Sequence, residues 1–407
     1  ELEDIFFNEQ RYLFWFMLLS GCFLFSLWHI SFWPGVTSND SLEIWRAAQI
    51  PGMYLGDHPP LNVILYMYLS MFWNNVAVVP IAQNVSASLL IAYIFFSLYK
   101  KGLPLYFLLP FYTLILFSLP IGLYTIILWK DIPFALLVVL LGFKLSCLYF
   151  DKRNNTLAVS REEWINIFLL TLTLAGVRHN GVLYLFIVPL VIVSFGLVRI
   201  RPLVFAVLLG LMLLTGGGFF FLPGRLEAPG YLTAQTKVYL NQALDRLTFD
   251  YIKQSGKNYL GVFDINQKRM RWDKVGDCLY GRYNNNFLKY LRWNDVYPFL
   301  PFPKNKLVKK IKGIAWNLYR QSYTTPWVYF AWNPVYMLFL FPLLPLLFRK
   351  LPLASVFSFF IIAQMGALVF LHIFNWRYYF FAYLASYFLL PMVVTDIYFA
   401  KKCRANH

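Results

Sequence analysis

Acidic and imidazole side chains follow directly after the first long apolar run of the chain. This run covers residues 12–33, and a helix needs about 20 apolar residues to cross a bilayer. Four candidate chemical groups then lie in the segment 34–76: Asp40, Glu43, Asp57 and His58. Carboxylates at the water interface of a membrane stay ionised and can act as general bases. The sequence therefore favours chemistry at a membrane surface over simple anchoring.

The local sequence around these residues leaves a second role open for each of them. Asp40 and Glu43 share one face of a helix because they are three positions apart. Asp40 also ends a Ser-Asn-Asp cluster that suits the N-cap of a helix beginning at residue 41. Asp57 can cap a helix that begins at the following proline pair. His58 fits a hydrogen-bonded interface residue, a metal ligand or a phosphate contact.

Three more polar clusters interrupt apolar runs further along the chain: Lys130-Asp131, Arg178-His179 and Arg377. A charged group beside a bilayer is costly unless it is paired or functional. Arginine is the side chain best suited to bidentate contact with phosphate. Two structural alternatives remain, namely that Lys130 and Asp131 anchor the chain at the interface and that Asp131 pairs with Arg178.

The composition predicts a polytopic all-α membrane protein. Of 407 residues, 59% are hydrophobic and only 14% are charged, whereas soluble domains have about 25% charged residues. The first apolar run is too long for a cleavable signal and is interpreted as a retained helix. Apolar runs predict about ten transmembrane helices, at 12–33, 77–99, 104–128, 132–150, 164–177, 181–198, 203–222, 327–347, 352–372 and 379–398.

Basic residues orient this arrangement in the membrane. With a cytoplasmic N-terminus, every short cytoplasmic loop carries Lys or Arg, as the positive-inside rule requires. Residues 58–73 then form an external interfacial helix, with a short crossing as the alternative. Residues 1–222 are predicted to form a transmembrane catalytic module. Residues 223–326 form a small external domain, mostly helical, and residues 327–407 form the last helices and a cytoplasmic tail.

The net charge of +17 does not indicate a nucleic-acid partner, because no recognition motif accompanies it. Basic loops facing anionic lipid headgroups account for it instead. In the segment 223–326, basic and aromatic residues suit phosphate and sugar contacts, and headgroup binding explains them equally well. The four cysteines match no zinc or redox spacing. A cofactor stays unknown, and a divalent metal is possible but not required by the sequence.

The pattern resembles the GT-C superfamily of membrane glycosyltransferases, in particular its protein mannosyltransferase and lipid A aminoarabinose transferase branches. The shared features are a first helix followed by an external acidic residue, a His-Pro-Pro helix start, an aspartate at the external start of a later helix, and an Arg-x-Asn-Gly turn. They correspond here to Asp40, His58-Pro59-Pro60, Asp131 and Arg178-His179-Asn180-Gly181. The resemblance covers about residues 1–200.

The resemblance implies inverting transfer of a sugar from a polyprenyl-phosphate carrier to a glycolipid, polysaccharide or protein such as a pilin. Asp40 and Asp131 are then the catalytic candidates, with Asp40 as the base. The implied phosphate contacts are Lys130, Arg178 and Arg377, and the site-shaping residues are Glu43, Asp57, His58 and His179. The expected location is a bacterial inner membrane, with the site facing the periplasm. A polysaccharide polymerase or ligase and a lipid-linked glycan transporter are the alternatives.

Overall fold

The structure is a computed structural model, and it describes most of the long apolar runs of the chain. The described residues are 2–37, 41, 44–45, 48, 59–73, 75–154, 160–197, 210, 263–264, 269–270, 306–322, 324, 328, 332, 340–370 and 376–405. Among the predicted site residues, Asp40, Glu43, Asp57 and His58 lie outside these ranges.

The described residues are mostly helical. The α-helices are α1 (Leu2–Ser31), α2 (Pro60–Phe72), α3 (Val78–Lys100), α4 (Leu105–Leu116), α5 (Leu119–Tyr124), α6 (Asp131–Arg153), α7 (Arg161–Val177), α8 (Tyr184–Ser194), α9 (Lys306–Ser322), α10 (Pro352–Phe370) and α11 (Phe380–Ala405). Short 3₁₀ helices cover His179–Leu183, Leu344–Leu347 and Trp376–Tyr379. Two-residue strands, β1 (Phe263–Asp264) and β2 (Arg269–Met270), pair in antiparallel fashion.

Five of the described helices are long and apolar enough to cross a membrane. Their spans are Gln10–Ser31, Val78–Lys100, Asp131–Arg153, Pro352–Val369 and Arg377–Lys402. Each coincides with a predicted apolar run, so the expectation of an all-α protein with membrane-spanning helices is confirmed at this level. The total of about ten spans stays a prediction. The run 203–222 apart from residue 210, and residues 327–339 of the run 327–347 apart from 328 and 332, lie outside the described residues.

The predicted span 104–128 is broken in the structure. Its first part is α4, whose 12 residues extend about 18 Å at 1.5 Å per residue, which is short of the roughly 30 Å hydrocarbon core. Helix α5 follows after Phe117 and Ser118, with Pro120 at its beginning. The remaining residues, 125–130, form a non-helical connection to α6. The apolar composition of the run hid this break, since hydropathy does not report backbone conformation.

Large apolar side chains cover much of the outer surface of the bundle. Examples on α1 are Tyr12, Phe16, Leu19 and Phe23, all exposed. Helices α3, α4, α7 and α8 also expose Leu, Ile, Val or Phe. A soluble protein rarely exposes so much contiguous apolar surface, whereas lipid tails cover it at no cost. The exposed side chains therefore support burial of these helices in a bilayer.

Basic side chains gather at one end of the bundle, as predicted for the short loops. Lys101 forms an ion pair with Asp151, and Lys152 donates to the carbonyl oxygens of Gly196 and Leu197. Arg153 donates to the carbonyls of Phe348 and Arg349. Asp131, Arg178 and Arg377 belong to the opposite ends of their helices. This opposite end contains the candidate site.

Candidate functional site

The connection 125–130 positions Asp131 at the start of α6. Its backbone pairs with Val36, five residues after the end of α1: the Val36 N–H donates to the Ile126 carbonyl and the Leu128 N–H donates to the Val36 carbonyl, both at 2.9 Å. The Leu128 carbonyl also accepts hydrogen bonds from Ser41 Oγ at 2.5 Å and from Tyr66 Oη at 3.1 Å. The loop after α1 and helix α2 thus converge on the residues that lead to Asp131.

Gln83 on α3 supports the same connection. Its amide nitrogen, in the orientation that satisfies its neighbours, donates to the carbonyls of Thr125 at 2.9 Å and Ile127 at 3.0 Å. Tyr66 is fully buried beneath the connection. Burial raises the pKa of its phenol well above the ordinary value, and the negative charge of Asp131 raises that pKa further. Tyr66 is therefore a neutral hydrogen-bond donor at every physiological pH.

Asp131 and Arg178 form a buried ion pair. Their side chains are 2% and 3% exposed, and Arg178 Nη1 contacts Asp131 Oδ1. Arg178 lies in extended backbone between α7 and the following 3₁₀ helix. Removing one partner of such a pair costs about 3–5 kcal/mol, because the other charge is left buried and uncompensated. The alternative that these two residues pair, which the sequence left open, is what the structure contains.

Arg377 is the second cation near Asp131. Its Nε lies 3.8 Å from Asp131 Oδ2, and its side chain is 17% exposed. The Arg377 Nη2 also donates to the hydroxyl of Tyr378 at 3.3 Å. Two guanidinium groups therefore face one carboxylate, which leaves one positive charge in excess among these three side chains.

Aromatic rings enclose both guanidinium groups. The Arg178 guanidinium carbon lies 4.2 Å from the ring centre of Tyr378 and 5.3 Å from that of Phe134. Arg377 lies 5.1 Å from Tyr378 and 5.6 Å from Trp129. Stacking of this kind holds a planar cation in a fixed orientation and is worth about 0.5–2 kcal/mol per contact. The rings therefore pre-organise the two arginines.

Several buried polar atoms around Arg178 have no hydrogen-bond partner within the described part of the chain. They are Arg178 Nη2, both amide atoms of Asn180, and the hydroxyl of Tyr184. Leaving a buried donor or acceptor unsatisfied costs about 1–3 kcal/mol. Polar atoms of this kind beside a cationic cluster offer hydrogen-bonding positions to water or to a polar ligand.

A glycine forms the turn that carries these atoms. Gly181 N–H donates to the Arg178 carbonyl at 2.8 Å. A Cβ atom at this position would overlap the carbonyl oxygen of Leu174 at the end of α7. The last residue of the Arg-His-Asn-Gly sequence must therefore be glycine, because α7 and the 3₁₀ helix approach each other too closely there for a side chain.

An apolar cavity of about 500 Å³ lies next to the cluster, among α2, α3, α6 and α7. Its walls are mostly aliphatic, and they include Leu61, Leu65, Leu69, Val79, Leu136 and Val177. Tyr66 and Gln83 also line it, and both hold the connection that leads to Asp131. Ligand pockets typically have volumes of about 300–1,000 Å³, so the cavity is large enough to hold part of a ligand.

The structure brings three of the predicted site residues into contact and places two others next to them in the chain. Asp131, Arg178 and Arg377 meet in one cluster. Lys130 directly precedes Asp131 and is half-buried, and His179 is exposed beside Arg178. In the described part of the chain, no group of three His, Cys, Asp or Glu side chains is arranged to hold a metal ion.

The aromatic and amide members of the cluster were not predicted from the sequence. Tyr378 directly follows Arg377, and Asn180 belongs to the Arg-His-Asn-Gly turn, so adjacency to a predicted residue was an available signal for both. Phe134 and Tyr184 are single apolar-looking positions in membrane-length runs. Nothing in their local sequence distinguishes them from core residues.

Comparison of the chain with known proteins identified no related protein. No protein-family model matches the chain, and no curated protein or solved structure matches it significantly. The function of the chain is therefore inferred from the geometry of the site.

Proposed function

We propose that this protein is a membrane glycosyltransferase that takes a sugar from a polyprenyl-phosphate carrier and transfers it to an acceptor at the membrane surface. The observation that carries the proposal is the Asp131–Arg178–Arg377 cluster, in which two guanidinium groups face one carboxylate beside an apolar cavity. A sugar joined to a polyprenyl monophosphate is a phosphodiester and carries one negative charge. Two closely spaced guanidinium groups suit the phosphate of such a donor, because each can make a charge-assisted, bidentate contact with its oxygens.

The apolar cavity supports a lipid carrier rather than a soluble donor. A polyprenyl chain has no polar atoms, and the aliphatic walls beside Tyr66 and Gln83 suit such a chain. The donor would then lie with its chain in the cavity and its phosphate toward the arginines. The orphan Nη2 of Arg178 and the amide of Asn180 are available to hydrogen-bond the phosphate oxygens.

In the proposed reaction, a hydroxyl or other nucleophile of the acceptor attacks the anomeric carbon from the face opposite the phosphate. The bond between that carbon and the phosphate oxygen breaks, and its electron pair leaves with the carrier phosphate. The leaving phosphate gains a second negative charge, which Arg178, Arg377 and the adjacent Lys130 would stabilise. This charge is larger in the transition state than in the bound donor, so the cations favour the reaction.

A carboxylate must accept the proton of the acceptor. The carboxylate oxygens of Asp131 face Arg178 and Arg377, so this group is already engaged as their counter-ion. We therefore assign the base to Asp40 and the orientation of the arginines to Asp131. Ser41, the residue after Asp40, hydrogen-bonds Leu128 three positions before Asp131, and chain connectivity keeps consecutive Cα atoms about 3.8 Å apart. Asp40 itself lies outside the described residues.

The direct test compares cells with and without this chain by mass spectrometry of their glycolipids and surface proteins. The proposal expects one glycan to be lost and its polyprenyl-phosphate precursor to accumulate when the chain is absent. Restoration by the wild-type chain but not by Asp40→Asn would support the base assignment, because loss of a general base typically costs about 10²–10⁴-fold. Unchanged glycans in both strains would contradict the whole proposal.

A second test concerns the phosphate contact. Arg178→Lys and Arg377→Lys keep the charge but lose the planar fork, so the KM for the donor should rise about tenfold while the protein stays folded. Arg153→Lys is the matched control, since Arg153 binds backbone carbonyls at the opposite end of the bundle. If both site variants keep the wild-type donor KM, the arginines do not contact the phosphate.

A further inference from the structure

Helix α9 is the most strongly cationic helix among those described. Within Lys306–Ser322 it has no acidic residue. Its five basic residues are Lys306, Lys309, Lys310, Lys312 and Arg320. A solvated surface helix normally mixes both signs of charge, so this composition indicates an anionic partner.

One face of α9 packs against the end of α1. Ala315 and Tyr319 are buried, and the ring of Trp316 lies 6.2 Å from that of Phe32. Further along the chain, Trp332 donates from its indole nitrogen to Ser322 Oγ at 2.8 Å. Phe32 directly follows α1, at the end of the bundle that carries the candidate site. These contacts attach α9 to the same end.

A second face of α9 is apolar and exposed. Leu307, Ile314 and Leu318 are 62%, 54% and 47% exposed. At about 100° per residue, positions 307, 314 and 318 fall within roughly 40° of one another around the helix axis. They form a stripe beside the face that packs on α1.

A third face carries the charges. Lys306, Lys309, Lys310 and Arg320 are exposed on the side of the helix away from Ala315 and Tyr319. Around the helix axis, the face packed on α1 is therefore followed by the basic face and then by the apolar stripe. This order is typical of a helix that lies in a membrane interface with its apolar stripe in the acyl region and its cations among the headgroups.

The neighbouring surface supports this placement. Helix α1 exposes Trp15, Phe16, Leu19 and Phe23, which suit lipid contact. At the end of α1 next to α9, Trp33 lies 5.9 Å from Trp73, and both side chains are partly exposed. Tryptophan is enriched at the level of the headgroups. The membrane boundary inferred from α1 therefore passes close to α9.

We propose that α9 lies in the outer interface of the bilayer and binds anionic phospholipid headgroups through Lys306, Lys309, Lys310 and Arg320. Leu307, Ile314 and Leu318 insert into the acyl boundary, and the contacts with α1 fix the depth of the helix. This docking surface is separate from the Asp131 cluster and does not depend on the proposed transferase activity.

The test uses the full chain, with its four cysteines replaced by alanine, reconstituted in vesicles. An environment-sensitive fluorophore is attached at Ile314→Cys or, as the matched control, at Asn317→Cys on the exposed polar face. The vesicles contain phosphatidylcholine alone or mixed with phosphatidylglycerol. We expect lipid-borne quenchers to reach the label at Ile314 and aqueous iodide to reach the label at Asn317. Phosphatidylglycerol should deepen the label at Ile314.

The charge dependence is tested with Lys306→Gln, Lys309→Gln and Lys310→Gln combined. Each basic residue near an anionic surface contributes about 1 kcal/mol, so each removed lysine should weaken the preference for phosphatidylglycerol about fivefold. Native mass spectrometry of co-purified phospholipids measures the same preference with the natural cysteines in place, should the alanine background not fold.

Three outcomes would overturn the proposal. In the first, iodide reaches the label at Ile314 as readily as the label at Asn317. In the second, neither quencher reaches Ile314, which would mean that another part of the chain covers the stripe. In the third, the depth of the label and the co-purified lipids are identical with and without the three lysines, which would mean that anionic headgroups do not contribute to the interaction.

Discussion

Two buried aspartates at opposite ends of the bundle have different surroundings. Asp131 and Asp396 are both 2% exposed. The two carboxylate oxygens of Asp396 accept backbone N–H groups of Leu353 at 3.1 Å and Ala354 at 3.0 Å, at the start of α10. Asp131 instead faces two arginine side chains enclosed by aromatic rings.

The difference separates a structural carboxylate from a candidate functional one. Asp396 satisfies backbone donors that a helix start always leaves open, so its role is complete within the fold. Asp131 faces two arginines, and polar atoms nearby have no hydrogen-bond partner among the described residues. The two aspartates are equally buried, so burial does not distinguish them. Their partners do: backbone N–H groups contact Asp396, and arginine side chains contact Asp131. Variants at each position can test that distinction.

The largest effect is expected on activity. Asp131→Asn should lower glycan transfer about 10²–10³-fold, because the arginines lose the group that orients them in the proposed site. Asp396→Asn should leave transfer near the wild-type level. Mass spectrometry of glycans in complemented cells measures both. If the two variants lose the same activity at equal amounts of folded protein, Asp131 and Asp396 do not differ in function.

The next effect is on stability at the Asp131 pair. Arg178→Ala should lower the free energy of unfolding by about 3 kcal/mol, since the carboxylate stays buried with only the more distant Arg377 to compensate it. Combining Arg178→Gln with Asp131→Asn removes both charges and should recover much of that loss. Denaturant unfolding in detergent measures the difference. If the double variant is as unstable as Arg178→Ala, the pair does not act as a unit.

A smaller loss is expected at the other end of the bundle. Asp396→Ala leaves the N–H groups of Leu353 and Ala354 without their acceptor and should cost about 1–3 kcal/mol. For the proposed transfer, the KM and kcat of the remaining folded protein should not change. Thermal unfolding and donor kinetics on the same sample check this. A changed donor KM would show that Asp396 is coupled to the site.

The smallest effect concerns the connection that positions Asp131. Tyr66→Phe removes one hydrogen bond to the Leu128 carbonyl and should cost about 0.5–1.5 kcal/mol. Tyr68→Phe is the matched control on the same helix, because Tyr68 is exposed. The two variants are compared by denaturant unfolding. Equal stabilities would indicate that the Ser41 hydrogen bond to Leu128 is sufficient to hold the connection.

The long membrane-length helices could be predicted from sequence because a run of about 20 apolar residues is the length that a bilayer crossing requires. The broken run at residues 104–128 could not, since α4, α5 and the connection 125–130 are all apolar. The convergence of Asp131, Arg178 and Arg377 was reachable from topology, which assigned all three to one membrane face. Whether Arg178 pairs with Asp131 was left open, because contact with a phosphate was the other explanation for an arginine in that turn.

The aromatic enclosure of the arginines depends on pairs that are distant in the chain. Phe134 and Tyr378 contact the same guanidinium from α6 and from the 3₁₀ helix before α11. Apolar patterns place such residues on helices but do not specify their neighbours across the bundle. The resemblance to GT-C enzymes likewise indicated polar residues and turns, and not the rings between them.

The separation of the cluster residues along the chain has a consequence for biosynthesis. Roughly 200 residues separate Arg178 from Arg377, so at about 5–20 residues per second the ribosome needs roughly 10–40 s between them. Asp131 and Arg178 are made first, and their pair is electrically neutral, so the early helices need not carry a lone charge into the membrane. Arg377 is added only when the segment leading into α11 is made. A nascent chain therefore lacks the second guanidinium of this cluster until α11 is being synthesised.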